Sequence, residues 1–246
     1  MFRPGDKVYV VVSKSGVKAL MDYSGKERRP VKNIMIMGGS RIGQKVAKAF
    51  QEQANVKLLE VDKEKSFRVA DELNKTLVIH ADGKDLDFLK SEGIQRTDAF
   101  IAVTGSTDTN ILSCLLAKRM GVRQTIAEIE NMDYIDLAEH MGIDTIINKK
   151  RIAASNIFSF TIGANVSTLQ YLTGTDAEVM EFDVEGNPPV THKPVKSLNF
   201  PKGSIIGGVV RAGKSFIATG STHIQPGDKV VVFSLPQAVE AVIKFF

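Results

Sequence analysis

Apolar and polar positions change rhythm along this chain. From Val31, six short apolar runs recur: "VKNIMIM", "VKLLEV", "TLVIH", "AFIAV", "QTIAEI" and "DTIIN". Between them lie amphipathic stretches. "RIGQKVAKAFQE" places Ile42, Val46 and Phe50 at helical spacing, and "EKSFRVADELN" places Phe67, Ala70 and Leu73 on one face. "LDFLKSEG", "TNILSCLLAKRMG" and "MDYIDLAEHMG" continue the series. Continuous apolar strands separated by helices predict parallel pairing, right-handed crossovers and a sheet covered on both faces. Residues 31–150 are therefore expected to form an α/β, doubly wound parallel sheet of Rossmann type.

The rhythm then changes. "KKRIAASNIFSFTIGANV", interrupted by Gly163, predicts a connector helix over 151–174. Beyond it, "AEVMEFDV" alternates, "SIIGGVVRAGKSFIAT" predicts two strands around an Ala-Gly-Lys turn, "GDKVVVFS" adds a strand and "QAVEAVIKFF" a closing helix. With "GNPP", "FPKGS" and "QPGD" as turns, residues 175–246 are expected to form a small α+β domain.

One motif is written twice. "PGDKV" occupies residues 4–8 and 226–230, each time running into β-branched residues. Val17 matches Val239 and Ala19 matches Ala241 in the stretches that follow. A Pro-Gly turn entering a strand accounts for the pentapeptide by itself. The later matches favour a repeat, with residues 1–30 the tail and linker of a preceding small domain.

Composition narrows the class. A chain of 246 residues, 43% hydrophobic and 24% charged, is ordinary for a soluble globular protein. No apolar run near the start approaches a signal peptide or a membrane span. The lone Cys114, within "ILSCLLAKRM", excludes an internal disulfide framework and is expected in the core. The net charge of +4 gathers at "KERR" (26–29) and "NKKR" (148–151). Neither cluster interleaves aromatics, so a nucleic-acid partner is not expected.

Candidate chemistry sits at the end of the first strand, "IMIMGGSRIG". Gly38, Ser40 and Gly43 hold the three positions of a dinucleotide fingerprint, strand before and helix after. Gly38 permits the tight turn, and Gly43 permits close helix–strand packing. Helix-start N–H groups over Gly39, Arg41 and Ile42 favour a pyrophosphate. Ser40 replaces the middle glycine, adding a β-carbon and a hydroxyl, and Arg41 can add charge-assisted bonds. Glu60, ending "LLEVD", lies where an acid receives ribose hydroxyls, and its charge favours NAD(H), or an adenine nucleotide with a free ribose, over NADP(H). Asp62 is expected to cap the next helix. "VIHADG" brings His80, Ala81 and Asp82 to the same edge, and "AVTGSTDTN" brings Thr104 and Gly105, with Asp108 as a candidate cap. There is no nucleophile elbow, no paired metal-ligand spacing and no Cys-x-x-Cys. The four histidines, 80, 140, 192 and 223, are scattered.

The whole chain resembles the TrkA family, regulatory subunits of Trk-type potassium uptake systems built from RCK domains that regulate potassium conductance. "NIMIMGGSRIGQKVAKAF", "LLEVDKEK", "LVIHADGKDLDFLKSEGI", "AFIAVTGSTDTNILSCLLAKRMG" and "HIQPGDKVVVFSLPQAVEAVIKFF" carry the resemblance. It implies a second Rossmann-plus-small-domain unit preceded by the end of the first. It implies a cytoplasmic, non-enzymatic sensor at the inner face of the plasma membrane, held there through a membrane-embedded potassium transporter subunit. It also implies a homo-oligomer, a dimer or tetrameric ring, that binds NAD(H) or, as in related proteins, ATP and ADP. Carried over by position, Gly38 to Gly43 hold the phosphates, Glu60 the ribose, Ala81 and Asp82 the adenine side, and Thr104 with Gly105 the crevice floor. No catalytic or metal-binding residue is expected. The competing readings are an NAD-dependent oxidoreductase and an oligomerisation scaffold with a lapsed nucleotide site.

Overall fold

The computed structural model of the chain describes residues 3, 8, 10, 12, 16–25, 30–161, 166–172 and 175–246. Residues 4–7 of the first PGDKV copy, the 26–29 basic cluster and the Gly163 break lie outside the described residues. The chain divides into two compact units, Arg29–Lys150 and a second made of Arg151–Phe246 with the described part of Met1–Arg28. In that last stretch the helix α1 (Val17–Tyr23) buries none of its residues.

The Arg29–Lys150 unit carries strands β1 (Asn33–Met37), β2 (Asn55–Glu60), β3 (Leu77–His80), β4 (Ala99–Ala102), β5 (Gln124–Glu128) and β6 (Thr145–Ile147). All pair in parallel, in the order β3-β2-β1-β4-β5-β6. This is the Rossmann arrangement that the alternating pattern predicts. Its helices are α2 (Arg41–Phe50), α3 (Lys63–Glu72), α4 (Leu86–Ser91), α5 (Thr107–Arg119) and α6 (Asp133–His140), with α7 (Lys149–Thr161) beginning at its end. Two apolar clusters flank the sheet. One gathers Met35, Phe100, Ile111, Cys114 and Ile135, the other Ile34, Ile36, Leu58, Val69 and Ile101. Cys114 is fully buried in the first cluster, and that burial pushes its thiol up to about 12.

The inward face of α3 differs from the expected one. Phe67 is 62% exposed, and Ser66 and Val69 point inward instead, with Leu73 beyond them. The reason is phase. Asp62 caps α3, its carboxylate accepting from the Lys65 N–H, and this fixes the first turn so that the Ser66–Val69–Leu73 stripe meets the sheet.

The second unit is an antiparallel five-stranded sheet, ordered β10-β9-β11-β8-β7. It comprises β7 (Val166–Tyr171), β8 (Glu178–Asp183), β9 (Ser204–Arg211), β10 (Lys214–Phe216) and β11 (Lys229–Ser234), with α8 (Val239–Ile243) closing the chain. The connector expectation needs correction: residues 166–171 are not helical but form β7, an edge strand pairing with β8. Val166 and Leu169 are both buried although three apart, because the register with β8 shifts between Val166 and Thr168; that spacing fits a helix, and the helical reading ran over the strand. The expected hairpin is present, turning at Ala212 and Gly213, both with positive φ. Phe182 stacks on Phe246 at a centroid distance of 3.9 Å, packing the chain end onto the sheet.

The second PGDKV copy has a structural role. Gly227 turns at φ +87°. Asp228 is 1% exposed and accepts two hydrogen bonds from Arg211, Nε and Nη2 each at 2.7 Å, and one from the Gln225 N–H. Lys229 pairs with Glu181 and Asp183 on β8.

Candidate functional site

In a parallel sheet every strand ends on the same side, so the loops after β1, β2, β3 and β4 converge. There they enclose a crevice of about 400 Å³. Gly38, Ser40, Glu60, Ala81, Asp82, Thr104 and Gly105 all line it. Gly39, Arg41, Ile42 and Gly43 are not on that lining.

The glycines are needed where the sequence has them. Gly38 sits at φ +108°, and a Cβ there would lie 2.9 Å from the Val103 carbonyl oxygen. A Cβ on Gly43 would lie 2.0 Å from the Gly38 carbonyl oxygen. The first turn of α2 therefore lies directly on the β1 turn, as close helix–strand packing requires.

Ser40 is the N-cap of α2. Its Oγ accepts from the Gly43 N–H at 3.3 Å. That settles the substitution of the middle glycine in local terms: the hydroxyl satisfies one helix-start donor and keeps its own proton free to donate. The Gly39 N–H is also engaged. Among the described residues nothing accepts from the Arg41 and Ile42 N–H groups, so two amides remain for an anion at this helix start.

Glu60 is 5% exposed, not a solvated strand-end acid. Its Oε2 accepts from the Gly39 N–H at 2.8 Å and lies 2.6 Å from Lys65 Nζ; its Oε1 accepts from the Asp62 N–H at 3.0 Å. Burial pulls the carboxyl upward. Hydrogen bonds from Lys65 and from the Asp62 and Gly39 N–H groups, with the Lys65 charge, outweigh it, and the group sits below the usual carboxylate value. A carboxylate offers about four acceptor directions, and three are used, which leaves one on Oε1 for a hydroxyl donor.

The far walls are turns. Asp82 Oδ1 accepts from the Lys84 N–H, and its carbonyl accepts from the Asp85 N–H. His80 is not on the crevice lining and bonds the carbonyl of Val61, which is, at 3.0 Å. After β4, Ser106 rather than Asp108 caps α5, accepting from the Thr109 N–H.

Two site residues escape the sequence reading. Asn110, 1% exposed, organises the β4–α5 loop: its Oδ1 accepts from the Thr104 N–H and Oγ1, and its Nδ2 donates to the Thr104 and Glu128 carbonyls. An amide inside the apolar stretch "NILSC" is the signal, because a buried amide must find partners. Lys65 is the other. It follows the Asp62 cap by three residues, which turns it back toward the end of β2.

These residues fit the phosphate and a ribose hydroxyl of a nucleotide. Gly38, which has no room for a Cβ, the Ser40 cap and an acid with one free acceptor direction line one crevice, and the two open helix-start amides directly follow Ser40 in the chain. The basic stretch 148–151, by contrast, is partly consumed internally: Lys149 pairs with Glu128 and Glu130. Among the described residues no group of His, Cys, Asp and Glu could hold a metal ion, and no helix is long and apolar enough to cross a membrane.

Comparison with known proteins finds the TrkA-N domain model over residues 34–149 and the TrkA-C domain model over residues 179–246. Two relatives from Methanosarcina mazei, Trk system potassium uptake protein TrkA homolog 1 and homolog 2, are 31% and 32% identical over 100% and 99% of this chain. Trk system potassium uptake protein TrkA from Azorhizobium caulinodans is 29% identical over 98%. The chain spans about half the length of these curated relatives, 55%, 55% and 54% respectively. Among solved structures, the GsuK RCK domain aligns with a TM-score of 0.54 at 16% identity, covering 88% of this chain and 48% of that one. The GsuK channel bound to NAD aligns at 0.53 and 15% identity, covering 89% and 40%. At that identity these two alignments establish the fold.

Proposed function

The chain belongs to the TrkA family, and from that premise we propose that it is a nucleotide-sensing regulatory unit of a potassium uptake system. The observation that carries the reading is the crevice itself, in which the Gly38–Gly43 loop and the Glu60 carboxylate face one space.

In this reading the ligand is NAD(H), ADP or ATP. The Arg41 and Ile42 N–H groups and the Ser40 hydroxyl meet the phosphates, with the α2 dipole in their favour. Glu60 Oε1 accepts a ribose hydroxyl. Ala81 and Asp82 border the adenine, and Thr104 with Gly105 forms the floor. The nucleotide supplies recognition, and the chain does no chemistry on it.

The histidines support a sensor over an oxidoreductase. Each bonds a backbone carbonyl: His80 that of Val61, His140 that of Asp136, His192 that of Asn187 and His223 that of Thr191. None lines the crevice. Hydride transfer asks for an acid/base group facing the cofactor.

The partner is a membrane-embedded potassium transporter subunit, reached from the cytoplasmic side, and copies of the chain assemble as a homo-oligomer. Nucleotide biases the gate only through its difference in affinity between two assembly states. A tenfold difference supplies about 1.4 kcal/mol per site, so several sites acting together give a useful switch. The test pairs titration with turnover. Saturable binding of NADH without an absorbance change at the nicotinamide band, across carbonyl substrates, supports the sensor; steady NADH consumption contradicts it.

A further inference from the structure

We propose that Lys65 sets the selectivity of the crevice at the ribose 2′ position, a refinement that rests on the nucleotide-binding reading above. An acid at the end of β2 is expected to reject a 2′-phosphate by charge repulsion. Here that acid is not a bare charge. Lys65 Nζ lies 2.6 Å from Glu60 Oε2, on the crevice lining. The pair is close to neutral as seen from the crevice, and the Lys65 side chain is 36% exposed, so its ammonium keeps donors for a second anion.

The other charged groups on the lining do not undo this. Asp82 and Lys84 sit 3.6 Å apart as a second, solvent-facing pair. The lining therefore carries two acids and two lysines, Glu60 with Lys65 and Asp82 with Lys84. A 2′-phosphate arriving beside Glu60 meets a carboxylate already matched by a cation.

Lys65 also restricts what Glu60 can do for a free ribose. With Oε2 committed to Gly39 and Lys65, only Oε1 is available, so one ribose hydroxyl and not both is received. Discrimination between NADH and NADPH is accordingly narrow in this chain, and Lys65 is what narrows it.

The experiment is calorimetric titration of the full chain with NADH and with NADPH, for wild type, Lys65→Gln and Lys65→Arg. Thermal melts verify that each variant folds. The wild type is expected to bind both dinucleotides. Lys65→Gln is expected to weaken NADPH about tenfold more than NADH, between the limits for a unit charge in water and in a protein interior. Lys65→Arg keeps the charge and is expected to restore the wild-type ratio. Equal changes for the two dinucleotides in Lys65→Gln overturn this inference alone. Failure of the wild type to bind either overturns it together with the reading on which it rests.

Discussion

Gly39 and Glu60, 21 positions apart, are joined by a hydrogen bond of 2.8 Å from the backbone N–H of one to the carboxylate of the other. A Cβ on Gly39 would stand 2.8 Å from that same oxygen and 3.3 Å from Val69 Cγ2. The glycine loop and the acid are thus one unit: the loop can close on β2 only because this residue has no side chain.

Gly39→Ala tests that unit. The new methyl displaces the Glu60 carboxylate, which two further donors, Lys65 and the Asp62 N–H, hold in place, so the strain is not relieved for free. A loss of about 1–3 kcal/mol of stability is expected, as for overpacking elsewhere. Nucleotide affinity falls with it. Thermal unfolding and titration of the same sample measure both.

Gly43→Ala is expected to be at least as damaging, despite alanine's better helix propensity. The gain of about 1 kcal/mol from propensity is outweighed by a Cβ placed 2.0 Å from the Gly38 carbonyl oxygen. A melting temperature equal to or above wild type contradicts the packing argument.

Much of this was legible beforehand, for identifiable reasons. The six parallel strands announced themselves because strands buried on both faces must be continuously apolar, as "NIMIM" and "AFIA" are. Gly38, Glu60 and Thr104 were placeable because strand ends converge in such sheets. The contacts of Lys65 and Asn110 were not legible, since they depend on side-chain direction from a helix whose phase the sequence leaves open. The α3 face went astray for the same reason: Phe67 looked inward by hydrophobicity, and the Asp62 cap rotated it out. Strand β7 escapes the pattern because its buried residues, Val166 and Leu169, are three apart, a spacing that fits a helix, and the register shift that breaks the alternation is not written in the sequence.

Asn110→Ala removes an amide with four partners in the β4–α5 loop. The half-buried Thr104 and buried Glu128 backbone groups lose their bonds, at an expected cost of about 2–3 kcal/mol. Hydrogen exchange at residues 104–106 is expected to accelerate more than elsewhere in the unit. Uniform exchange across the sheet would contradict a local role.

Asp228 predicts an acid limb in the stability of the second unit. Burial pulls its carboxyl up, but hydrogen bonds from Arg211 and the Gln225 N–H and the Arg211 charge hold it below the usual value. A depressed folded pKa contributes stability that is present above the unfolded value and lost as pH falls through the folded one. Stability is therefore expected to fall below about pH 4, and Asp228→Asn to flatten that limb while lowering stability at neutral pH. Urea unfolding at pH 3 and pH 7 measures it. An unchanged acid limb in the variant counts against the Asp228–Arg211 pair as its source.

The central claim is that the Gly38–Gly43 loop and Glu60 together hold an adenine nucleotide. Calorimetric titration of the purified chain with NADH, ADP and ATP, beside Glu60→Ala, tests it most directly. The account predicts saturable binding of at least one of these by the wild type and at least a tenfold weaker isotherm for the variant. Flat titrations with all three, or superimposable isotherms for wild type and variant, would contradict it.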